Sequence, residues 1–314
     1  MQTSLHTGMS PEHPSVARPA HSHRSSNHVV ADASSAPALT HDQVQSFHDD
    51  GYLIVRDFYD VPTEVEPIQR GVHSILSLLL DKYEMSGQQE AFAPERFEAG
   101  YQALLARERR IGGEVYDAVK QIPAFVRLVA SAKNEAVVRQ LRGSDVVGIA
   151  AAGYGIRIDN PGEERYKAPW HQEYPAQFRS LDGIVFWSPL IQVTPDLGPV
   201  EVLRGSHREG LVRVHTRDPK NPDKSGAYAL ILENEEARVA RYQSMAPLLR
   251  PGDVLIMDFL TIHRSGTNRL SRSRWSMQIR YFNFEHPSGI QIGWSGSFKA
   301  GADIRQVHPD LFID

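Results

Sequence analysis

The spacing of apolar residues divides the chain into a helical first half and a β-rich second half. Thr40 and Gln43 form a capping box at the start of a helix, and Gly51 is placed to end it. Residues 52–55 are then predicted to form a strand, and residues 63–83 carry apolar side chains at helical spacing. Further helices are predicted over 95–110, 113–120 and 123–141.

From about Val146 the pattern changes to short strands separated by turn signals. The predicted strands are 146–158, 183–193, 199–203, 211–215, 227–232, 253–259 and 274–284. Many short strands of this kind indicate a sandwich or a barrel. We therefore expect helices from the first half to pack against an all-β second half.

Residues 1–38 show no periodicity and are rich in Ser, Pro, Ala and His, so a disordered N-terminal tail is predicted there. One ordered domain is predicted over 39–314. It consists of a helical part (39–145), a β-rich core (146–284) and a C-terminal tail (285–314).

Composition narrows the chemistry that the chain can perform. The 314 residues include 14 histidines and no cysteine, which excludes disulfides, thiolate zinc sites, iron–sulfur clusters and a cysteine nucleophile. A net charge of -4 argues against general nucleic-acid binding. There is no apolar run of membrane-spanning length and no secretory signal, so a cytoplasmic location is expected. Only His, Asp and Glu remain as ligands for a transition metal.

The segment 169–174 carries the most informative residues. On a strand, His171 and Glu173 would point to the same face and present an imidazole beside a carboxylate. His263 follows an apolar strand 90 residues after Glu173 and would complete a facial two-histidine, one-carboxylate triad, as in non-haem Fe(II) oxygenases. A surface pair on a turn is the alternative interpretation of His171 and Glu173.

The strand 274–282 alternates in polarity. Its even positions include Arg274, Ser276 and Arg280, whereas its odd positions are apolar. The polar face lies either towards solvent or towards a wet cavity, where a guanidinium can bind a carboxylate through two hydrogen bonds.

With these motifs in order, the sequence resembles the phytanoyl-CoA dioxygenase family of Fe(II)/2-oxoglutarate oxygenases. The resemblance covers about 39–284. It rests on four pieces: 39–60, the WHQEY motif at 170–174, the stretch 183–207 that ends in Gly-Ser-His, and 251–281. It implies a mainly β fold with supporting α-helices around a double-stranded β-helix, the cupin-like jelly-roll.

The resemblance also implies roles for individual residues. His171, Glu173 and His263 would ligate Fe(II), although the family usually has Asp where this chain has Glu173. Arg274 would bind the distal carboxylate of 2-oxoglutarate, with Ser265 assisting. Trp187 would line the same pocket, and Ser276 is a further candidate there.

The activity implied by the resemblance uses 2-oxoglutarate and O2 as co-substrates and releases succinate and CO2. Hydroxylation of a small anionic or polar metabolite is expected, with desaturation as a variant. The candidate substrate-binding residues are Tyr154, Arg157, Tyr174 and Arg280. The insertion 216–250 is a candidate lid over the pocket.

Two other functions remain open from the sequence: a non-oxidative, metal-dependent isomerase of the cupin type, and an inactive jelly-roll binding protein. A small-molecule substrate is the expected partner, with no nucleic acid and no membrane. A homodimer is left open.

Overall fold

The part of the chain described in this computed structural model comprises residues 39–218, 220–296 and 303–313. The predicted disordered tail, 1–38, lies outside it, as do residues 297–302 of the predicted C-terminal tail. Among the described residues, no helix is both long enough and apolar enough to cross a bilayer.

Helices dominate the first half, as the apolar spacing predicts. The α-helices are α1 (His41–Asp50), α2 (Glu66–Lys82), α3 (Tyr101–Arg107), α4 (Ile111–Val119), α5 (Pro123–Val129), α6 (Ala132–Arg142), α7 (Tyr174–Gln177), α8 (Glu235–Val239), α9 (Pro287–Gln291) and α10 (Ile304–Val307). The predicted capping box is confirmed: Thr40 accepts a hydrogen bond from the Gln43 backbone, and the Gln43 side chain accepts one from the Thr40 backbone. Gly51 ends α1 in the left-handed conformation, also as predicted.

The single helix predicted over 123–141 is two helices in the structure. Ser131 has extended backbone between α5 and α6, and its side chain accepts a hydrogen bond from the Asn134 backbone. A local cap of this kind competes with continuation of the helix, and apolar spacing alone does not reveal it.

The strands form three sheets. They are β1 (Tyr52–Val55), β2 (Val147–Ile149), β3 (Gly155–Asp159), β4 (Gly183–Pro189), β5 (Val200–Leu203), β6 (Val214–His215), β7 (Ile231–Leu232), β8 (Ser244–Met245), β9 (Val254–Asp258), β10 (His263–Ser265), β11 (Arg274–Asn283) and β12 (Phe312–Ile313). The large sheet has the order β1-β9-β4-β11-β2, with β3 also paired to β11. The smaller sheets are β10-β5-β8 and β12-β6-β7, and among the named strands only the β12–β6 pair is parallel. The predicted strand 146–158 is thus divided into β2 and β3.

The large sheet is buried on both faces because alternate residues of its strands join two different cores. On β4, Ile184 and Phe186 pack against the helices of the first half. Val185 and Trp187, which point the other way, pack with residues of the smaller sheets. This arrangement is the predicted jelly-roll with supporting helices. More of the described residues are helical than extended, so "mainly β" describes the core and not the whole chain.

Candidate metal centre and cavity

The three predicted metal ligands converge. His171, Glu173 and His263 each offer one ligand atom, and these three atoms lie within 4.8 Å of one another. This arrangement can hold a metal ion. The Glu173 Oε2 atom is 3.8 Å from His171 Nε2 and 3.6 Å from His263 Nε2. The surface-pair alternative is wrong, since Glu173 is buried and His171 lines a cavity.

The backbone that brings these residues together differs from the predicted strand. His171 forms an isolated antiparallel bridge with His263, in which each backbone N–H donates to the other's carbonyl at 3.0 Å. Glu173 stands at the N-terminus of the one-turn helix α7, and its N–H donates to the Phe259 carbonyl at 2.8 Å. The two side chains therefore meet through a bridge and a helix start, and not through strand alternation.

Hydrogen bonds fix the orientation of both imidazoles. The Nδ1 atoms of His171 and His263 lie 2.8 Å and 2.9 Å from the carbonyls of Pro169 and Thr261. A carbonyl only accepts, so each Nδ1 carries a proton and each Nε2 is the ring nitrogen on the side of Glu173. Burial, reinforced by the neighbouring His263, lowers the pKa of His171 to about 3, which keeps this imidazole neutral at ordinary pH.

Glu173 is ionised and offers one oxygen to a cation. Burial by itself would raise the pKa of Glu173, but Arg280 and the two histidines outweigh burial and lower it. Its Oε1 accepts from Arg280 Nε at 2.7 Å, whereas its buried Oε2 has no hydrogen-bond partner among the described residues. Two imidazoles and an unpartnered carboxylate oxygen are a donor set that fits a divalent transition metal.

Arg280 holds the carboxylate of Glu173, a contact that the sequence did not reveal. Its Nη1 donates to the Gly153 carbonyl and its Nη2 to Gln278 Oε1, both at 3.0 Å. The predicted substrate-binding arginine thus lines the cavity with all three of its nitrogens already engaged.

The predicted co-substrate residues also cluster. Arg274 is 1% exposed, its Nη2 lies 3.4 Å from Ser265 Oγ, and its guanidinium lies 5.7 Å from the centre of a Trp187 ring. Its Nη1 donates to the Gly198 carbonyl, and its Nη2 donates to Asp159 Oδ2 at 2.7 Å. The even-numbered face of β11 is therefore an interior face, and its solvent-facing alternative is wrong.

Asp159 is a residue of the site that the sequence did not identify. Its carboxylate joins Arg274 to Arg157, whose side chain lies 2.8 Å away. Burial would raise the pKa of Asp159, but Arg157 and then Arg274 lower it to about 2. Two arginines against one carboxylate leave a net positive charge beside Ser265.

Two buried donors near Arg274 have no hydrogen-bond partner within the described ranges: Trp187 Nε1 and Ser276 Oγ. An unpaired buried donor carries a free-energy cost that a bound acceptor removes. Of the residues in this cluster, Trp187 and Ser265 line the cavity, so the Trp187 donor is available to an acceptor bound there.

A cavity of about 610 Å³ opens onto the metal centre. The predicted residues along its wall are His171, Glu173, His263, Trp187, Ser265, Tyr154, Arg157 and Arg280. Arg274 and Ser276 are not part of that wall. Tyr174 is also absent from it: its buried ring contacts Phe178, and its hydroxyl lies 3.0 Å from His308 Nε2.

The predicted lid, 216–250, contributes Ala227 and Tyr228 to the cavity wall. The Tyr228 hydroxyl accepts from Arg157 Nη1 at 3.1 Å, which ties this segment to β3.

The fold and the converging side chains define a jelly-roll protein with a candidate metal centre of two histidines and one carboxylate. Residues 47–276 match the model of the phytanoyl-CoA dioxygenase (PhyH) family. The chain belongs to that family.

Solved structures share the fold at low identity. EctD from S. alaskensis, crystallised with 2-oxoglutarate and 5-hydroxyectoine, is 21% identical with a TM-score of 0.53, over 79% of this chain and 77% of that one. EctD with bound Fe is 22% identical with a TM-score of 0.52, over 83% and 86%. The alpha-ketoglutarate-dependent carbocyclase SnoK from nogalamycin biosynthesis is 16% identical with a TM-score of 0.52, over 85% and 95%. No curated protein sequence matches the chain.

Proposed function

We propose that this protein is an Fe(II)- and 2-oxoglutarate-dependent oxygenase that oxidises a small molecule. The observation that carries the proposal is the convergence of His171, Glu173 and His263, with Glu173 Oε2 unpartnered among the described residues. Family membership and the crystal structures of EctD, solved with Fe and with 2-oxoglutarate, support the identity of the two ligands.

His171, Glu173 and His263 would hold the metal. When bound, the metal supplies the chemistry by which 2-oxoglutarate and O2 become succinate and CO2 while the substrate is oxidised. The protein's own part is to keep both Nε2 lone pairs and one carboxylate oxygen aimed at a single point. Arg280 keeps the other oxygen of Glu173 turned away from that point.

Arg274 and Ser265 would bind the distal carboxylate of 2-oxoglutarate, with donors from Trp187 and Ser276 nearby. The net positive charge of Arg274, Arg157 and Asp159 favours an anion at this place.

An anaerobic titration with Fe(II) and 2-oxoglutarate tests the proposal. We expect a visible absorption band from the iron–oxoacid complex in the wild-type protein, and no band in the His171→Ala variant. Iron binding without the band on addition of 2-oxoglutarate would contradict an oxygenase and favour an isomerase or a binding protein.

The product separates the possible oxidations. Hydroxylation adds one oxygen to the substrate mass, whereas desaturation removes two hydrogens, and succinate forms in both cases. Hydroxylation is the outcome we propose. The cytoplasmic location and the homodimer stay predictions from the sequence.

A further inference from the structure

The wall of the cavity gives information about the substrate of the proposed oxygenase. Beyond the metal centre, the cavity passes between α4, β3 and the short helical turns at 164–166 and 226–229. We call this part the outer chamber and define it by Gly113, Tyr116, Tyr154, Tyr166 and Tyr228. The whole cavity of about 610 Å³ has the size of a site for a drug-sized ligand.

The charges along the wall are already paired. Four arginines line the cavity, and each one contacts a carboxylate: the pairs are Arg109–Glu163, Arg157–Asp159, Arg264–Glu201 and Arg280–Glu173. Among the described residues of the wall, no arginine is left without an acidic partner. Asp159 is shared with Arg274, and the positive charge left over by that sharing is the one assigned above to the carboxylate of 2-oxoglutarate. An anionic substrate would have to compete with these carboxylates. Of the anionic or polar metabolite expected from the sequence, the arginines therefore do not favour the anionic one.

Four tyrosines lie along the outer chamber, and the rings of Tyr116, Tyr166 and Tyr228 each also contact a cationic side chain. Its four tyrosines come from different parts of the chain, and Tyr116 and Tyr166 are 47% and 42% exposed at the mouth. Tyrosine combines an apolar ring face with a hydroxyl that can donate and accept. The hydroxyls of Tyr116 and Tyr154 make no hydrogen bond within the part of the chain that the structure describes. Such a wall recognises flat or cyclic molecules that carry neutral hydroxyl or carbonyl groups.

A glycine leaves room beside these rings. A Cβ atom added to Gly113, on α4, would meet no atom within 4 Å. Because Gly113 lines the cavity, a larger side chain there would reduce the space at the chamber wall without a clash at its base, and it would also favour the helix.

The geometry points to an uncharged, ring-bearing substrate held among the tyrosines of the outer chamber. This inference rests on the proposed function, because the ring must lie beside a metal centre that oxidises it.

A matched pair of ring-bearing probes, one uncharged and one anionic, tests which kind of molecule the outer chamber binds. Para-nitrophenyl glucoside and para-nitrophenyl glucuronide share both rings and differ in one group, a hydroxymethyl in the first and a carboxylate in the second. Binding is measured by anaerobic calorimetry on protein loaded with Fe(II) and 2-oxoglutarate. We expect the glucoside to bind at least about tenfold more tightly than the glucuronide.

Two glycine variants locate the binding. Gly113→Leu narrows the chamber and is expected to weaken glucoside binding about tenfold. Gly87→Leu is the control, since Gly87 also has no atom within 4 Å of an added Cβ and lies outside the cavity. It is expected to bind the glucoside as the wild type does.

The outcomes are distinct. Equal or tighter binding of the glucuronide, no binding of either probe, or equal loss in both glycine variants would overturn the substrate class while the iron–oxoacid absorption remains. Absence of that absorption would contradict the proposed function and this inference with it.

Discussion

At the scale of single residues, two buried carboxylates organise the site, and each is held by an arginine distant in sequence. Glu173 and Arg280 are 107 positions apart, and Asp159 and Arg274 are 115 apart. The motif around His171 predicted that His171, Glu173 and His263 would lie together. Sequence spacing could not predict which arginine meets which carboxylate, because the pairing depends on how β3, β11 and α7 pack.

Arg280→Gln is expected to weaken Fe(II) binding by about 10–100-fold, the usual effect of removing a group that orients a metal ligand. The cause is loss of the 2.7 Å contact that keeps one oxygen of Glu173 turned away from the histidines. Anaerobic calorimetry with Fe(II) measures the affinity.

Arg264→Gln is the matched control. Arg264 lines the same cavity but pairs with Glu201, which is not a predicted ligand. Equal iron affinity in wild type and Arg280→Gln, or an equal loss in both variants, would contradict the positioning role of Arg280.

Asp159→Asn is expected to destabilise the fold by about 3–5 kcal/mol, because it leaves the buried Arg274 and the partly buried Arg157 without their shared carboxylate. The control is Asp117→Asn on the surface, where an exposed pair with Lys120 contributes about 0–1 kcal/mol. Urea unfolding measures both.

The stabilisation from Asp159 has a defined pH range. Since its pKa is about 2 in the folded protein and near 3.8 in the unfolded chain, its contribution is complete above pH 3.8 and is lost as the pH falls towards 2. The difference in unfolding free energy between wild type and Asp159→Asn should therefore narrow as the pH falls from 3.8 towards 2. A difference that stays constant down to pH 2 would contradict the assignment.

At the scale of elements, the end of α1 connects to the metal centre through the Gly-Ser-His turn. His207 Nε2 lies 2.9 Å from the His48 carbonyl, so this histidine ties the turn to the end of α1. The neighbouring Ser206 accepts from the Ile262 backbone at 2.8 Å, one residue before His263. The turn thus holds both the end of α1 and the backbone that leads into His263.

Gly51→Ala tests this junction. Gly51 has a φ of 77°, and an added Cβ would clash with the side chains of His207 and Thr261. The left-handed conformation costs about 1–2 kcal/mol and the clash about 1–3 kcal/mol more. Gly143→Ala, at the end of α6, has a φ of 59° and open space, so it should show the conformational cost alone. Equal thermal stability of the two variants would show that the junction tolerates the methyl group.

The boundaries of elements show where sequence reasoning stops. Period-two alternation identified β11 and its two faces, and apolar spacing identified α2. The short strands β8, β10 and β12 have two or three residues each, too few for periodicity to be visible. His263 begins β10, so the motif was found by its chemistry and its spacing and not by the strand that carries it.

At the scale of the whole molecule, the helical half and the β half share one core. Trp275 of β11 packs edge-on against Phe97 and Tyr101 of the helical half, and the Tyr281 hydroxyl donates to the Val129 carbonyl. These contacts predict that both halves unfold together.

Metal binding is therefore expected to stabilise the whole described fold. At about 100 times the dissociation constant, a ligand of the native state adds about 2.7 kcal/mol, which corresponds to roughly 5–10 °C in Tm. Differential scanning calorimetry with and without Fe(II) under argon measures the shift. His171→Ala should show none, and a similar shift in that variant would place iron binding elsewhere.

The reciprocal backbone bonds between His171 and His263 bear on how the ion is acquired. Because their main chains are tied to each other and both Nδ1 atoms are anchored, the fold itself removes most of the rotational entropy of these two side chains. Ordering a free side chain at a binding site costs about 0.5–1.5 kcal/mol. Loading of iron should then be limited by ion dehydration and not by rearrangement of these two side chains.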